Sequence, residues 1–131
     1  MKFLFLSPGD KIKDERVIDF TSRINHYFPC EWKTKIEYDE KDFVVLLDET
    51  GKELSSVELS QFIEKRCMDS GKRIVFIIGG AYGVEQSLKD RADFTWSLSK
   101  LVFPHELVRL ILAEQIYRAC TIIKNESYHH A

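Results

Sequence analysis

The chain has 131 residues, 44% hydrophobic and 31% charged, with a formal net charge of -2. That length suits a single domain, 1–131, and the balance excludes a disordered chain, a collagen-like repeat and a disulfide-built miniprotein. The charge is uneven: residues 37–70 hold 4 Lys/Arg and 10 Asp/Glu, leaving 15 basic against 11 acidic side chains elsewhere. A local basic surface is therefore compatible with the composition, but a strong nonspecific grip on nucleic acid is not.

In chain order, Lys2 to Ser7 is an apolar run stopped by Pro8-Gly9, which predicts a first strand and a turn. Lys11 to Phe28 carries Ile12, Val17, Ile18, Phe20, Ile24 and Phe28 at helical spacing until Pro29. Cys30 to Tyr38 alternates as a half-exposed strand does, and Phe43 to Leu47 is a continuous apolar run suited to a parallel strand covered on both faces. Ser55-x-x-Glu58 is a capping box opening a helix with Leu59, Phe62, Ile63 and Cys67 on one stripe, ended by Gly71. A strand over Arg73 to Ile78, a short helix over Val84 to Arg91 and a strand over Phe94 to Ser99 follow. Pro104 then opens a last helix running to about Lys124. Alternating strands and helices predict an α/β domain with a mostly parallel sheet.

No apolar run approaches the ~20 residues of a membrane helix. The segment Met1 to Ser7 is too short and too quickly polar for a signal peptide, so a cytoplasmic location without membrane contact is expected. Cys30, Cys67 and Cys120 form no C-x-x-C pair, and packed, reduced thiols are expected. The last helix is apolar around almost its whole circumference, from Leu107 to Ile123. A helix of that kind needs cover on every side, and a second copy of the chain supplies it, so a homodimer is expected. Glu114 and Arg118 stand four apart in the order that favours pairing.

Two stretches are candidates for chemistry. Gly79-Gly80-Ala81-Tyr82-Gly83 follows a buried strand, the place where an open α/β sheet binds ligands, and it matches neither G-x-G-x-x-G nor a P-loop. Tyr128-His129-His130 brings a phenol and imidazoles to one place, either as a plain terminus or as groups that handle a proton or stack on a base. His105-Glu106-Leu107-Val108-Arg109 begins like a zinc-protease helix, but Arg109 stands where the second histidine belongs, and no metal is expected.

Several motifs occur together in order: Leu46-Leu47-Asp48-Glu49-x-Gly51-Lys52-x-Leu54-Ser55-Ser56; Phe76-Ile77-Ile78-Gly79-Gly80-x-x-Gly83; Ala92-Asp93-x-x-Trp96-Ser97-Leu98-Ser99-Lys100-Leu101; and Pro104-His105-x-Leu107-Val108-Arg109 through Glu114-Gln115-x-Tyr117-Arg118-Ala119. With Tyr128-His129-His130, they make the segment from Phe43 onward resemble the ribosomal large-subunit pseudouridine methyltransferase H family, small SPOUT-class enzymes. The resemblance implies a C-terminal deep trefoil knot over about 73–125, a homodimer, and S-adenosylmethionine bound in the knot. It places that cofactor on Leu47, Gly79, Gly80 and the loop Ser99, Lys100, Leu101, Val102, Phe103 and Pro104. The implied reaction is methylation of N3 of a pseudouridine in a stem-loop of 23S ribosomal RNA, within the assembled ribosome. N3 carries a proton and is a poor nucleophile until that proton leaves, so the base must be held and its charge stabilised.

On this resemblance Tyr128, His129 and Arg118 are the catalytic candidates, and Arg109 and His130 the substrate-binding ones. Tyr128 and His129 would be presented by one protomer near the other's cofactor. The chain departs from the family in a shortened segment between the second and third strands, where Tyr38 leads through Asp39-Glu40-Lys41 into the next strand. The rival readings are a noncatalytic dimeric module that keeps the scaffold but has lost its RNA contacts, and a flavodoxin-like nucleotide binder.

Overall fold

Among the described residues five segments form strands, and every neighbouring pair is parallel. The computed structural model describes residues 1–69, 73–79 and 85–130. The order along the chain is β1 (Phe3–Leu6), α1 (Glu15–Ile24), β2 (Cys30–Lys33), β3 (Phe43–Glu53), α2 (Ser56–Asp69), β4 (Ile74–Ile78), α3 (Gln86–Arg91), β5 (Phe94–Ser97) and α4 (His105–Ile123). Across the sheet the order is β2-β1-β4-β3-β5.

Alternate strand residues supply two cores. Phe3, Phe5, Val45, Leu47, Ile74, Phe76, Ile78 and Trp96 face Ile24 of α1, Leu59 and Ile63 of α2 and Leu112, Ile116 and Cys120 of α4. Leu4, Leu6, Val44, Leu46, Val75 and Ile77 face Leu88 of α3. Each fully buried aliphatic or aromatic side chain contributes roughly 1.5–3 kcal/mol, which explains why the central strands are apolar without interruption.

Several boundaries differ from the sequence reading. The first helix begins at Glu15 rather than Lys11, because the Asp14 carboxylate caps it by accepting from the Arg16 amide at 2.9 Å. It ends at Ile24, where the Asn25 side chain donates to the Thr21 and Cys30 carbonyls and accepts from the Cys30 amide at 3.0 Å. The second strand stops at Lys33 instead of Tyr38. It is an edge strand paired only to β1, and its last partner is the Ser7 amide, bonded to the Lys33 carbonyl at 2.9 Å; Pro8 then offers no N–H.

The third strand runs past Leu47 to Glu53. Leu47 and Lys52 both register with Trp96, so Asp48 to Gly51 bulge out of the pairing with β5. Gly51 has to be glycine: a Cβ there would lie 2.6 Å from the Thr95 carbonyl oxygen. The capping box forms as read, with the Glu58 amide donating to Ser55 Oγ at 3.0 Å and the Ser55 amide to the Glu58 carboxylate at 2.8 Å. The proposed helix stop at Gly71 lies outside the described residues, as do Gly80 to Val84 of the glycine turn and Ala131.

The last helix finds much of its cover inside its own chain, packed against both α1 and α2 above the sheet. Leu112, Ala113, Ile116, Ala119 and Cys120 are fully enclosed. What stays open is a narrower strip: a groove between α1 and α4 is lined by Phe20, Leu110, Ile111, Glu114 and Gln115, and Leu107 is 40% exposed. Among the described residues no helix is long and apolar enough to cross a membrane.

Candidate active site

A wholly parallel sheet puts all its carboxyl ends on one edge, and the neighbours β1 and β4 send their chains to opposite faces, toward α1 and α3. Such a switch in direction opens a crevice just beyond the strand ends. Leu47 registers with Ile78, so Leu47 and Gly79 stand side by side at this edge. From β5, Ser97 Oγ donates to the Ser99 carbonyl at 2.8 Å, and Ser99 Oγ accepts from the Leu101 amide at 3.0 Å, folding the next loop tightly. Beyond it Leu101 and Val102 are 69% and 78% exposed, an unusual display of apolar surface beside a crevice. Leu47, Gly79 and the start of the Ser99–Pro104 loop therefore share one edge of the sheet.

The loop after β1, where the sequence predicts a turn, completes this edge. Gly9 there adopts φ +118. Arg109 donates from Nε to Ser7 Oγ at 2.7 Å and from Nη2 to the Asp10 carbonyl at 2.8 Å. Ser7 Oγ, which accepts from Arg109, also shares a hydrogen bond with His105 Nε2, 2.7 Å away. Burial together with the Arg109 charge holds the His105 pKa below the ordinary value. Arg109, expected to touch substrate, is only 8% exposed and here fixes the β1 loop to α4. The signal for Ser7 and Gly9 was available: small turn residues directly after a buried strand, the same logic that selected Gly79.

Arg118, Tyr128 and His129 come together elsewhere. Asn125, at φ 57, reverses the chain after α4, and Tyr27 pins the reversal by donating to the Glu126 carboxylate at 2.8 Å. The returning segment lies against α4. Arg118 Nε donates to Glu114 at 2.8 Å, and Nη1 donates to His129 Nδ1 at 3.0 Å. Its guanidinium carbon sits 5.0 Å from the centre of the Tyr128 ring, which packs edge-on against Tyr117 at 4.8 Å. With Nδ1 accepting, His129 carries its proton on Nε2 and offers a donor outward. Burial, and then the nearby Glu114 charge, raise the Tyr128 phenol, which stays protonated at neutral pH. His130 is exposed and takes no part in this cluster.

The two groups of residues lie far apart within one chain. His105 and Arg118 are thirteen residues apart on a continuous helix, which at about 1.5 Å per residue is about 20 Å. Among the described residues no three His, Cys, Asp or Glu side chains converge as a metal site.

An all-parallel α/β sheet with a switch-point crevice beneath a C-terminal helix is an architecture for holding a nucleotide or nucleoside. The chain belongs to the SPOUT methyltransferase family: the family model described as "Predicted SPOUT methyltransferase" matches residues 31–129, which include Leu47, Gly79, the Ser99–Pro104 loop and the Arg118–His129 cluster but not the loop after β1. Among individual proteins, it is similar to the Ribosomal RNA large subunit methyltransferase H of Christiangramia forsetii, 41% identical over 155 residues that cover 99% of this chain and 98% of the relative. The proteins of the same name from Parabacteroides distasonis and Bacteroides fragilis are 37% identical over 139 residues and 53% identical over 89. They are covered to 88% and 57% of their lengths, with 88% and 68% of this chain aligned. The 155 aligned positions exceed the 131 residues here, so the Christiangramia protein carries sequence that this chain lacks.

Proposed function

We propose that this chain is an S-adenosylmethionine-dependent methyltransferase of the cytoplasm that modifies N3 of a pseudouridine in 23S ribosomal RNA, working as a homodimer on the assembled ribosome. The observation that carries the reading is the match of the family model over residues 31–129, from the strand ends at Leu47 and Gly79 to the tail cluster. The names of the relatives supply the ribosomal RNA substrate class. The strand order, with β3 lying between β4 and β5, is in keeping with a knot over about 73–125, part of which falls outside the described residues.

The crevice fits a nucleoside cofactor. Its floor is main chain at Leu47 and Gly79, which can bond an adenine edge, and Leu101 and Val102 offer apolar cover to a planar ring. Gly80 and Lys100, Phe103 and Pro104 complete the proposed binding loops. Bound there, S-adenosylmethionine would supply a methyl group made electrophilic by the adjacent sulfonium.

The tail cluster offers donors outward at His129 Nε2 and the Tyr128 hydroxyl, while Arg118, bonded to Glu114 and His129, holds them in place and adds its positive charge. Such a set suits an anionic base better than it suits a proton acceptor. Arg118, His129 and Tyr128 hold the charge that spreads onto the pseudouridine carbonyls when N3 gives up its proton to water. Because about 20 Å of helix separates this cluster from the start of the crevice loop in one chain, the cluster serves the crevice of the partner protomer.

Two experiments test this. Calorimetric titration with S-adenosylhomocysteine is expected to show binding, and transfer of labelled methyl to ribosomes lacking the modification is expected to go to completion at one site. Cofactor binding without transfer would instead mark a noncatalytic module. Mixing inactive His129→Ala protomers with inactive Gly79→Trp protomers is expected to restore about a quarter of wild-type activity, because half the dimers are mixed and each holds one intact site. No recovery would place the whole site in one chain.

A further inference from the structure

Beside the crevice lies a second concavity. A cleft of about 470 Å³ opens at the carboxyl ends of β1 and β2, with Lys11, Lys33 and Lys35 around it and Arg109 in its wall. Asp10 and Glu37 also line it, so four cations face two carboxylates in a chain whose net charge is negative. Arg109 is more than nine-tenths buried, its Nε and Nη2 are held by Ser7 and Asp10, and its Nη1 has no hydrogen-bond partner among the described residues. A guanidinium N–H left without a partner in the wall of a cleft is a donor suited to an anion. Trp32 gives the same cleft a rigid flat wall, since its Nε1 donates to Thr21 Oγ1 at 2.9 Å and its ring lies 4.8 Å from that of Phe5.

We infer that this cleft holds backbone phosphates of the RNA whose modified base enters the neighbouring crevice; the inference rests on the methyl-transfer reading above. Position supports it. β1 neighbours β4, so the Ser7 loop stands about 4.8 Å, one strand spacing, from Gly79, and an RNA strand lying in the cleft runs directly toward the methyl donor. Arrangement supports it too. Three exposed lysines spread around an open rim match charges spaced along a polymer, while Arg109 and Trp32 below offer a phosphate donor and a surface for a sugar or base. Glu37 stands at the edge of the cleft and disfavours phosphate there, which leaves the strand the lysine side.

The test is the double variant Lys33→Ala/Lys35→Ala, with Lys65→Ala/Lys89→Ala, on α2 and α3, removing the same charge elsewhere. Each is measured for S-adenosylhomocysteine affinity, for methyl transfer to ribosomes lacking the modification, and for binding of a fluorescent ribosomal stem-loop at several salt concentrations. The cleft variant is expected to keep cofactor affinity and kcat, to raise KM for ribosomes about tenfold, and to flatten the log–log salt dependence of stem-loop binding by about 1.4, two single-strand phosphate contacts. Unchanged KM and salt slope, or an equal loss in the control variant, would overturn the assignment while leaving the enzyme reading intact. If the wild type binds the stem-loop through these lysines but transfers no methyl, the cleft stands and the enzyme reading falls. If it neither binds nor transfers, both fall.

Discussion

Arg118→Ala removes the guanidinium that holds the 128–129 segment on α4. Three interactions go with it: the pair with Glu114, whose side chains are 24% and 20% exposed, the bond to His129 Nδ1 at 3.0 Å, and the stacking over Tyr128. A largely desolvated charged hydrogen bond is worth about 1–1.5 kcal/mol and a partly exposed cation–π contact about 0.5–1. With non-additivity, about 2 kcal/mol of stability is at stake, a fall in Tm of about 6 °C for a chain this long. On the proposed mechanism turnover suffers more, because His129 loses the partner that holds its ring and the positive charge beside the base disappears; about 100-fold in kcat is expected. Lysine at this position restores the pair with Glu114 but not the forked donor to His129, so Arg118→Lys recovers stability and little turnover. The assay is single-turnover methyl transfer beside thermal unfolding and S-adenosylhomocysteine titration. A folded Arg118→Ala protein with turnover within about threefold of wild type would refute the argument, since no preorganised donor costs so little to remove.

Gly51→Ala puts a methyl group 2.6 Å from the Thr95 carbonyl, so β3 and β5 must separate; a loss of at least about 2 kcal/mol in urea unfolding is expected, with weaker cofactor binding at the adjoining Leu47. Burial pushes the Asp42 carboxyl up, but the Arg73 guanidinium at 2.6 Å and the Asp39 amide outweigh it and hold its pKa below the ordinary 3.8. Its stabilisation is thus complete above the unfolded value and lost as pH falls through the lower folded one. Asp42→Asn is therefore expected to cost about 2 kcal/mol at pH 7 and progressively less in acid unfolding titrations below about pH 4. Burial raises the Cys30 and Cys120 thiols to about 11 and about 12, so neither is expected to react with a disulfide reagent at pH 8 until the protein unfolds.

The fold was legible where a residue's fate is decided by its neighbours in sequence. Uninterrupted runs such as Ile74–Ile78 announced buried parallel strands, and the Ser55–Glu58 box and the Glu114–Arg118 pair formed as their spacing dictates. Misjudged boundaries were those decided by a distant partner. Asp14 overrides an apolar pattern that seemed to begin at Ile12, and β2 stops where β1 stops, although its own alternation continues to Tyr38. The bulge after Leu47 answers to the Thr95 backbone, forty-odd residues away. The site divided in the same way. Strand-end positions such as Leu47, Gly79 and Ser7 follow from topology, whereas the pairing of Ser7 with His105 and Arg109 joins residues about a hundred positions apart and has no local signature.

The apolar circumference of the last helix was reason to expect a second copy of the chain, yet α1, α2 and the sheet enclose much of it, which leaves the strip around Leu107, Leu110 and Ile111. That strip is narrower than an all-apolar helix suggests, so hydrophobic burial on it alone is a weaker case for dimerisation than the sequence implied. The stronger case is chemical. α4 anchors the crevice through His105 and Arg109 in its first two turns and the donor cluster through Glu114 and Arg118 farther along. A rigid rod holding two half-sites at a fixed separation cannot bring them together, but a twofold axis between two such rods can set each crevice against the other chain's cluster. α4 fixes the positions of Arg109 and Arg118, and the loops that complete the two groups are held by side-chain bonds, Ser97 to the Ser99 carbonyl in one and Tyr27 to Glu126 in the other.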